Sequence, residues 1–298
     1  DLRKKLQPVG RLDVLDGVGE KALGYYAKQE AGRLDANALG RRSRAFHLIG
    51  EMAEHRGELE AALGAFKRGA DTTAQLLQRA PNDPRRIFDH AQSVYWVGHV
   101  AWRRGQMAAA ERALGEYRDL AQRLVLLDGR NPDWQAETAF ARENIGVVYL
   151  YSARFAKALS AFTEARDTWQ RIVGAQPAHT FDLANSVGWI AKAHEALGAF
   201  DEAIEAQQAK MRVLQTIPNA ATNKLVQRSQ QNIMYELARL ELALGRLPTA
   251  EQMAHTAVQL AQALVTMDPQ NKFWLEQLCF AQNLVAEVQV SAGNLVPA

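Results

Sequence analysis

The sequence contains few cysteine, proline and glycine residues. It contains 1 cysteine, Cys279, so no intrachain disulfide can form, and its 9 prolines and 20 glycines are too few for a disordered or fibrous chain. We expect Cys279, which lies between Leu278 and Phe280, to be a buried and inert thiol. The sequence also lacks a run of about 18 apolar residues and a signal-peptide pattern. These absences predict a cytoplasmic protein that has no membrane partner.

A charge excess of either sign is missing as well. The 35 basic residues nearly balance the 33 acidic ones, which gives a formal net charge of +2. Because nucleic-acid binding depends on a concentrated positive charge, we do not expect a nucleic-acid partner. The 48% of hydrophobic residues and 23% of charged residues are typical of a folded protein. The sequence begins with Asp1 in a segment of helical composition, so we expect other domains of a larger parent chain to precede it.

A six-residue pattern recurs five times along the chain. Each copy has a small residue, an apolar residue two positions later and an alanine five positions later. Successive copies begin 48, 48, 45 and 47 residues apart, at 57–62, 105–110, 153–158, 198–203 and 245–250. The small residue allows a helix to end, and the alanine allows two helices to pack closely. The pattern therefore predicts the turn of a helical hairpin.

A second pattern, built around proline, falls between these copies. It occurs at 82–84, 131–134, 176–177, 217–219 and 268–271. Proline disfavours helix at the preceding residue and suits a first helical turn, so each site is predicted to end one hairpin and begin the next. Apolar residues between the two patterns have helical spacing, and no segment alternates as a strand would. The sequence thus predicts twelve helices and no sheet.

These patterns predict one all-α domain over residues 1–298. Its parts are a capping helix at each end, 1–34 and 270–298, and five hairpins at 35–84, 85–132, 133–177, 178–218 and 219–269. One hairpin is skewed, because 27 residues separate Pro218 from Gly245. Terminal helices of this kind cap the ends of a repeat array.

Each hairpin also pairs two further positions, one on each helix. Twelve residues before the marked alanine stand Gly50, Gly98, Gly146, Ala191 and Ala238, and four residues after it stand Phe66, Leu114, Phe162, Gln207 and Ala254. In the first three hairpins these positions resemble the tetratricopeptide repeat (TPR). The match weakens at Gln207 and Ala254, and the unit exceeds the family's usual length of about 34 residues. The resemblance implies a right-handed α-solenoid; a HEAT-like array, which has nearly this period, is the alternative.

Arrays with such long units are similar to the carboxy-terminal arms of bacterial multidomain signalling proteins, such as STAND-type ATPases and fusions to TIR, caspase-like or kinase domains. The resemblance implies a concave groove, lined by the first helices of the hairpins, that binds a peptide, a protein or another domain of the parent chain. The alternative is a receptor for a small molecule or short peptide enclosed by the superhelix. The candidate binding residues in this register are His47, Glu51, Tyr95, His99, Arg103, Glu143, Asn144, Lys192 and Arg239.

No pattern points to catalysis or to a cofactor. The segment 17–21 lacks the spacing of a phosphate-binding loop. His47, Glu51 and His55 share one helix face, but the two histidines are about 12 Å apart, which is too far for one metal ion. We expect carboxylates such as Glu51 and Glu54 to lie on solvated helix faces. With no catalytic Ser/His/Asp or Cys/His set, the sequence predicts a non-catalytic protein without a metal or cofactor.

Overall fold

The computed structural model describes residues 35–293, together with Lys21 and Gly24. This part of the chain forms 11 α-helices and one 3-10 turn and contains no strand, which confirms the all-α prediction. None of these helices is long and apolar enough to cross a membrane. Apart from Lys21 and Gly24, which are helical, the capping helix predicted at 1–34 lies outside the described residues. The chain divides into two compact units, unit 1 at residues 1–152 and unit 2 at residues 153–298.

The described part of unit 1 is a succession of antiparallel helices in which each helix packs against the next. Its helices are α1 (Ala36–His55), α2 (Leu59–Arg79), α3 (Pro84–Arg103), α4 (Met107–Leu127) and α5 (Pro132–Tyr151).

Unit 2 repeats the same arrangement, with a 3-10 turn at Pro177–His179. Its described helices are α6 (Phe155–Ile172), α7 (Thr180–Ala196), α8 (Phe200–Gln215), α9 (Lys224–Ala243), α10 (Leu247–Met267) and α11 (Lys272–Ser291).

The five small residues aligned in the sequence all adopt one turn conformation. Gly57, Gly105, Gly198 and Gly245 have φ angles of 78°, 71°, 76° and 72°, and Ala153 has a φ angle of 56°. A left-handed backbone costs a residue with a Cβ atom about 1–2 kcal/mol, so glycine is the favoured residue at this turn. The recurring small residue therefore marks a positive φ angle at the end of each first helix.

At 82–84, 131–134 and 268–271 the proline-containing pattern corresponds to capped helix starts. At 176–177 it begins the 3-10 turn without a side-chain cap, and at 217–219 it lies in the connection before α9. Asp83 caps α3 by accepting a hydrogen bond from a first-turn N–H group at 2.9 Å, and Pro84 follows as the first helical residue. Asn131, Asn223 and Asn271 cap α5, α9 and α11 with their side-chain oxygens. A cap of this kind is worth about 1 kcal/mol, since it satisfies a backbone donor that has no partner within the helix.

The skewed hairpin results from a long connection rather than from a long helix. α8 ends at Gln215 and α9 begins at Lys224, so residues 216–223 form the connection. Within it Asn219 has a positive φ angle of 57°. α9 itself has 20 residues, as α1, α3 and α5 do. The extra residues that the sequence places between Pro218 and Gly245 are thus accommodated before the helix begins.

The pairing of a small with a large residue is confirmed in the first two hairpins. A Cβ atom built on Gly98 would lie 2.6 Å from Leu114 Cγ, and one built on Gly50 would lie 2.7 Å from the Phe66 ring. Both large residues are almost fully buried, with exposures of 2% for Leu114 and 0% for Phe66. The helices of these hairpins approach so closely that only glycine fits at the crossing.

The hairpin formed by α7 and α8 departs from this pattern at Gln207. Its side chain is buried, and its Oε1 atom accepts no hydrogen bond from any described residue. An unsatisfied buried acceptor costs about 1–3 kcal/mol. We therefore expect Gln207→Leu to raise the free energy of unfolding by about 1 kcal/mol or more, as measured by urea denaturation. Gln208→Leu, on the exposed side of the same helix, is the matched control and should change stability little; equal effects of the two variants would contradict the prediction.

The prediction that Cys279 is buried is wrong, because its side chain is exposed. It lies on α11, which packs against α9 and α10. Leu275 and Val290 on the same helix are also exposed, with 40% and 61% of their surface accessible. An apolar stretch becomes buried only where another element covers it, and within residues 35–293 no helix covers this side of α11.

Candidate binding surface

The first helices of the unit 1 hairpins, α1, α3 and α5, are linked by side-chain hydrogen bonds. His47 on α1 contacts Ser93 on α3, with 2.8 Å between Nε2 and Oγ. Gln92 on α3 donates to Glu137 on α5, with 2.8 Å between Nε2 and Oε2. These three helices are therefore neighbours, and we call the side chains that they present the first-helix face of unit 1.

Three of the predicted binding residues gather on this face around one carboxylate. The Arg103 guanidinium forms an ion pair with Glu54. His99 Nε2 lies 4.0 Å from Glu54 Oε1, and the rings of His99 and Tyr95 are 5.8 Å apart between centroids. We call Glu54, Tyr95, His99 and Arg103 the Glu54 cluster.

The expectation that Glu54 lies on a solvated helix face is wrong. Its side chain is only 14% exposed, because Arg103 and His99 of the next hairpin cover it. Arg103 follows Glu54 by 49 residues, one residue more than the 48-residue repeat in this part of the chain. Residues about one repeat apart lie on adjacent first helices, so this separation of two opposite charges is the signal in the sequence that points to the pair.

Two aromatic side chains, exposed Tyr151 and partly exposed Trp102, border the Glu54 cluster. Trp102 and Tyr151 meet edge to face, with centroids 5.6 Å apart, and Tyr151 is 58% exposed. Tyr95 instead packs inward against Tyr117, at 5.6 Å between centroids, and is only partly exposed. The accessible part of this region therefore consists mainly of Tyr151 and the Arg103 guanidinium, with Trp102 partly exposed beside them.

Two other tryptophans on first helices serve packing. Trp96 stacks on Phe66 in unit 1, with centroids 5.1 Å apart and an interplanar angle of 9°. Trp189 stacks on Phe162 in unit 2, at 5.6 Å and 15°. Since both partners occupy the large-residue position of a hairpin, these rings join the interior of the repeat to the following first helix.

The Glu54 cluster has no net charge, because burial favours the neutral forms of His99 and Tyr95. Burial lowers the pKa of His99 and raises that of Tyr95, while the Glu54 carboxylate acts in the opposite direction on His99 and in the same direction on Tyr95. Both side chains are therefore predominantly neutral at pH 7. The remaining charges, on Arg103 and Glu54, compensate each other, so the cluster suits aromatic and hydrogen-bonding contacts better than a highly charged partner.

The other predicted residues of unit 1 are placed differently. His47 is directed into its hairpin, where its ring meets Phe66 edge to face at 5.6 Å, and burial lowers its pKa to about 4. Asn144 donates a hydrogen bond to a carbonyl of its own helix at 2.7 Å. Glu51 on α1 and Glu143 on α5 are partly buried.

In unit 2 the predicted residues Lys192 and Arg239 lie on α7 and α9. Arg239 forms ion pairs with Glu195, at 3.0 Å, and with Glu236 of its own helix. The Lys192 Nζ atom lies 5.9 Å from the centroid of the Trp189 ring, within cation–π range. Arg239 thus connects two first helices of unit 2, as Arg103 does in unit 1.

The histidines considered for a metal site have other neighbours. His47 contacts Ser93, and His99 lies among aromatic rings beside Glu54. In the described part of the chain, no group of three or more His, Cys, Asp or Glu side chains is arranged to hold a metal ion.

No protein-family model matches the chain, and no curated protein matches it in sequence. Several solved structures are similar to it. BtubC (BKLC) from P. vanneervenii has a TM-score of 0.61 and 14% identity, over 85% of this chain and 90% of that one. A putative kinesin light chain from Podosopora anserina with nearly identical TPR-like repeats has a TM-score of 0.57 and 16% identity, over 76% of this chain and 97% of that one.

The fold is TPR-like. A third similar structure, aspartyl phosphate phosphatase F from Bacillus subtilis, has a TM-score of 0.63 and 11% identity, over 91% of this chain and 62% of that one. The structural similarity establishes a shared TPR-like fold. At sequence identities this low it establishes nothing about activity.

Proposed function

We propose that this chain is a non-catalytic interaction module that binds a peptide or protein segment on the first-helix face of unit 1. The observation that carries the proposal is the group formed by exposed Tyr151 and Arg103 and partly exposed Trp102, beside a neutral, partly buried Glu54 cluster. The partner is a cytoplasmic protein or another domain of a larger parent chain. The TPR-like fold supports the proposal, because hairpins stacked in this way present a preformed surface at low entropic cost.

The chemistry of the cluster favours binding over catalysis. Glu54 and His99 are close enough to suggest an acid–base pair, but Arg103 already binds the carboxylate. The His99 ring packs among Tyr95, Trp96 and Trp102, with centroid distances of 5.8, 5.6 and 6.0 Å. The imidazole therefore contributes packing contacts among aromatic rings rather than proton transfer.

The exposed groups define the kind of segment that would bind. Tyr and Trp provide large apolar contact areas with few rotatable bonds, and they are enriched with Arg among the residues that dominate binding energy. The Arg103 side chain is 38% exposed, so its outward N–H groups can donate to backbone carbonyls. We therefore propose a segment that places an apolar or aromatic side chain against Trp102 and Tyr151.

Substitutions on this face should weaken peptide binding. A random dodecapeptide phage library would first provide a ligand, whose Kd would then be measured by isothermal titration calorimetry. We expect Trp102→Ala, Arg103→Ala and Tyr151→Ala each to raise the Kd about thirtyfold, which corresponds to about 2 kcal/mol for a central contact residue. Lys67→Ala, at an exposed position on α2, should leave the Kd unchanged.

Circular dichroism of each variant separates loss of binding from loss of fold, which matters for Arg103→Ala because it leaves Glu54 without its cation. If Lys67→Ala weakens binding as much as the three other substitutions do, the ligand uses another surface and the proposal fails. Selected peptides that bind all four variants equally would contradict it as well.

A further inference from the structure

A cleft of about 300 Å³ lies in unit 2 between α7, α9 and α11. Its lining includes Asn185 from α7, Asn232 from α9 and Gln277 from α11. This volume is at the lower end of the range for small-molecule sites. The cleft contains none of the residues of the Glu54 cluster, so the inference drawn from it does not depend on the proposed function.

The floor of the cleft contains a hydrogen-bond donor without a partner. Gln231 lines the cleft and is only 1% exposed, and its Nε2 atom forms no hydrogen bond with any described residue. Burying such a donor costs about 1–3 kcal/mol, so most buried donors have an acceptor. The Nε2 atom has almost no accessible surface, so an acceptor atom of a bound ligand would satisfy it once the Gln231 amide turns toward the cleft.

A single cation stands at the rim of the cleft. The guanidinium carbon of Arg228 lies 4.4 Å from the centroid of the Phe273 ring, so a cation–π contact connects α9 to α11. This contact restrains the guanidinium group, whose N–H groups match a planar acceptor such as a carboxylate. The lining contains no Asp or Glu, so Arg228 provides its only formal charge.

The remaining walls are apolar. Phe181 and Leu225 line the cleft together with Phe273. Leu225 and Phe273 are also large hydrophobic residues that stay exposed, with 58% and 40% of their surface accessible. A ligand with an apolar body would cover them, and burial of apolar surface yields about 25 cal/mol per Å².

We infer that this cleft is a binding site for a small monocarboxylate with an apolar body. The carboxylate accepts hydrogen bonds from Arg228 at the rim and, after the Gln231 amide turns toward the cleft, from Gln231 at the floor. The apolar body covers Leu225 and Phe273. One guanidinium balances one negative charge, whereas a phosphate dianion would keep an unbalanced charge here. The amide groups of Asn185 and Asn232 provide further polar contacts within the cleft.

Isothermal titration calorimetry with 3-phenylpropanoate tests the inference directly. We expect this acid to bind, its neutral amide to bind about tenfold more weakly or worse, and acetate and inorganic phosphate not to compete. No binding of the acid at millimolar concentrations would overturn the inference. Equal binding of the neutral amide, or tighter binding of phosphate, would overturn it too.

Two variants and one control locate the site. Arg228→Gln, at an exposed position, should weaken 3-phenylpropanoate binding about tenfold, and Arg212→Gln, an exposed arginine on α8, should leave it unchanged. Gln231→Leu should also weaken binding while it raises the urea midpoint, because it removes the unsatisfied donor. A purely structural role for Gln231 predicts that binding is unaffected, and that result would overturn the assignment.

Discussion

Gly98→Ala should lower the free energy of unfolding by about 1–3 kcal/mol, while Gly115→Ala should raise it by about 0.5–1 kcal/mol. The added Cβ atom at position 98 would lie 2.6 Å from Leu114 Cγ and 3.3 Å from Ala113 Cβ, so α3 and α4 must move apart. Gly115 is also inside a helix, but a Cβ atom there meets nothing within 4 Å. At that site the substitution only removes the entropic cost of a glycine. Urea denaturation followed by circular dichroism measures both changes.

The second hairpin position and a compensating change make this test specific. Gly50→Ala should act as Gly98→Ala does, since its Cβ atom would lie 2.7 Å from the Phe66 ring, and Gly64→Ala should act as Gly115→Ala does. Combining Gly98→Ala with Leu114→Ala removes the clash, so the double variant should be less destabilised than the sum of the two single changes. Strict additivity would show that the two side chains do not meet.

Acidification should destabilise unit 1 through His47. Burial lowers the pKa of its imidazole from 6.5 to about 4. The His47 imidazole is therefore protonated below pH 6.5 in the unfolded chain but only below about pH 4 in the folded chain. Each pKa unit is worth about 1.4 kcal/mol, so His47 should contribute about 3 kcal/mol of stability at pH 7 that is lost as the pH falls to about 4.

The hydrogen bonds around His47 are consistent with this sign. Ser93 Oγ donates to the carbonyl of Asp89 at 3.0 Å, so it accepts from the Nε2–H group of a neutral His47. His47→Gln retains a donor at this position but cannot titrate, so urea denaturation from pH 4 to 7 should show a weaker loss of stability. His255→Gln, which removes a half-exposed imidazole on α10, is the control and should follow the wild-type curve. Parallel curves for all three proteins would contradict the prediction.

The repeat could be predicted from the sequence because it depends on local backbone chemistry. A positive φ angle at a helix end requires glycine or another small residue, as at Gly57 and Gly105. A helix start needs an acceptor side chain and tolerates proline, as at Asp83 and Pro84. These requirements recur in each hairpin, so the periodic residues indicate where each helix begins and ends.

The candidate binding surface could be predicted only in part. The helical register placed Tyr95, His99 and Arg103 on one face, since residues four apart share a helix face. It did not reveal that Glu54 reaches Arg103 from the preceding first helix, or that His47 is directed toward Phe66 inside its hairpin. Both contacts depend on the distance and rotation between helices, which the packing of side chains sets.

The sequence by itself therefore determined the helices, their turns and the close crossings at Gly50 and Gly98, because each follows from the conformational limits of single residues. Only the tertiary structure decided which polar side chains were covered. It buried the Glu54 carboxylate, left Cys279 exposed on α11, and brought Arg228 and Gln231 to one cleft with Phe273. Burial is a property of neighbouring elements rather than of the residue, so the same residue type can be a core side chain, a pair partner or a ligand contact according to what packs beside it.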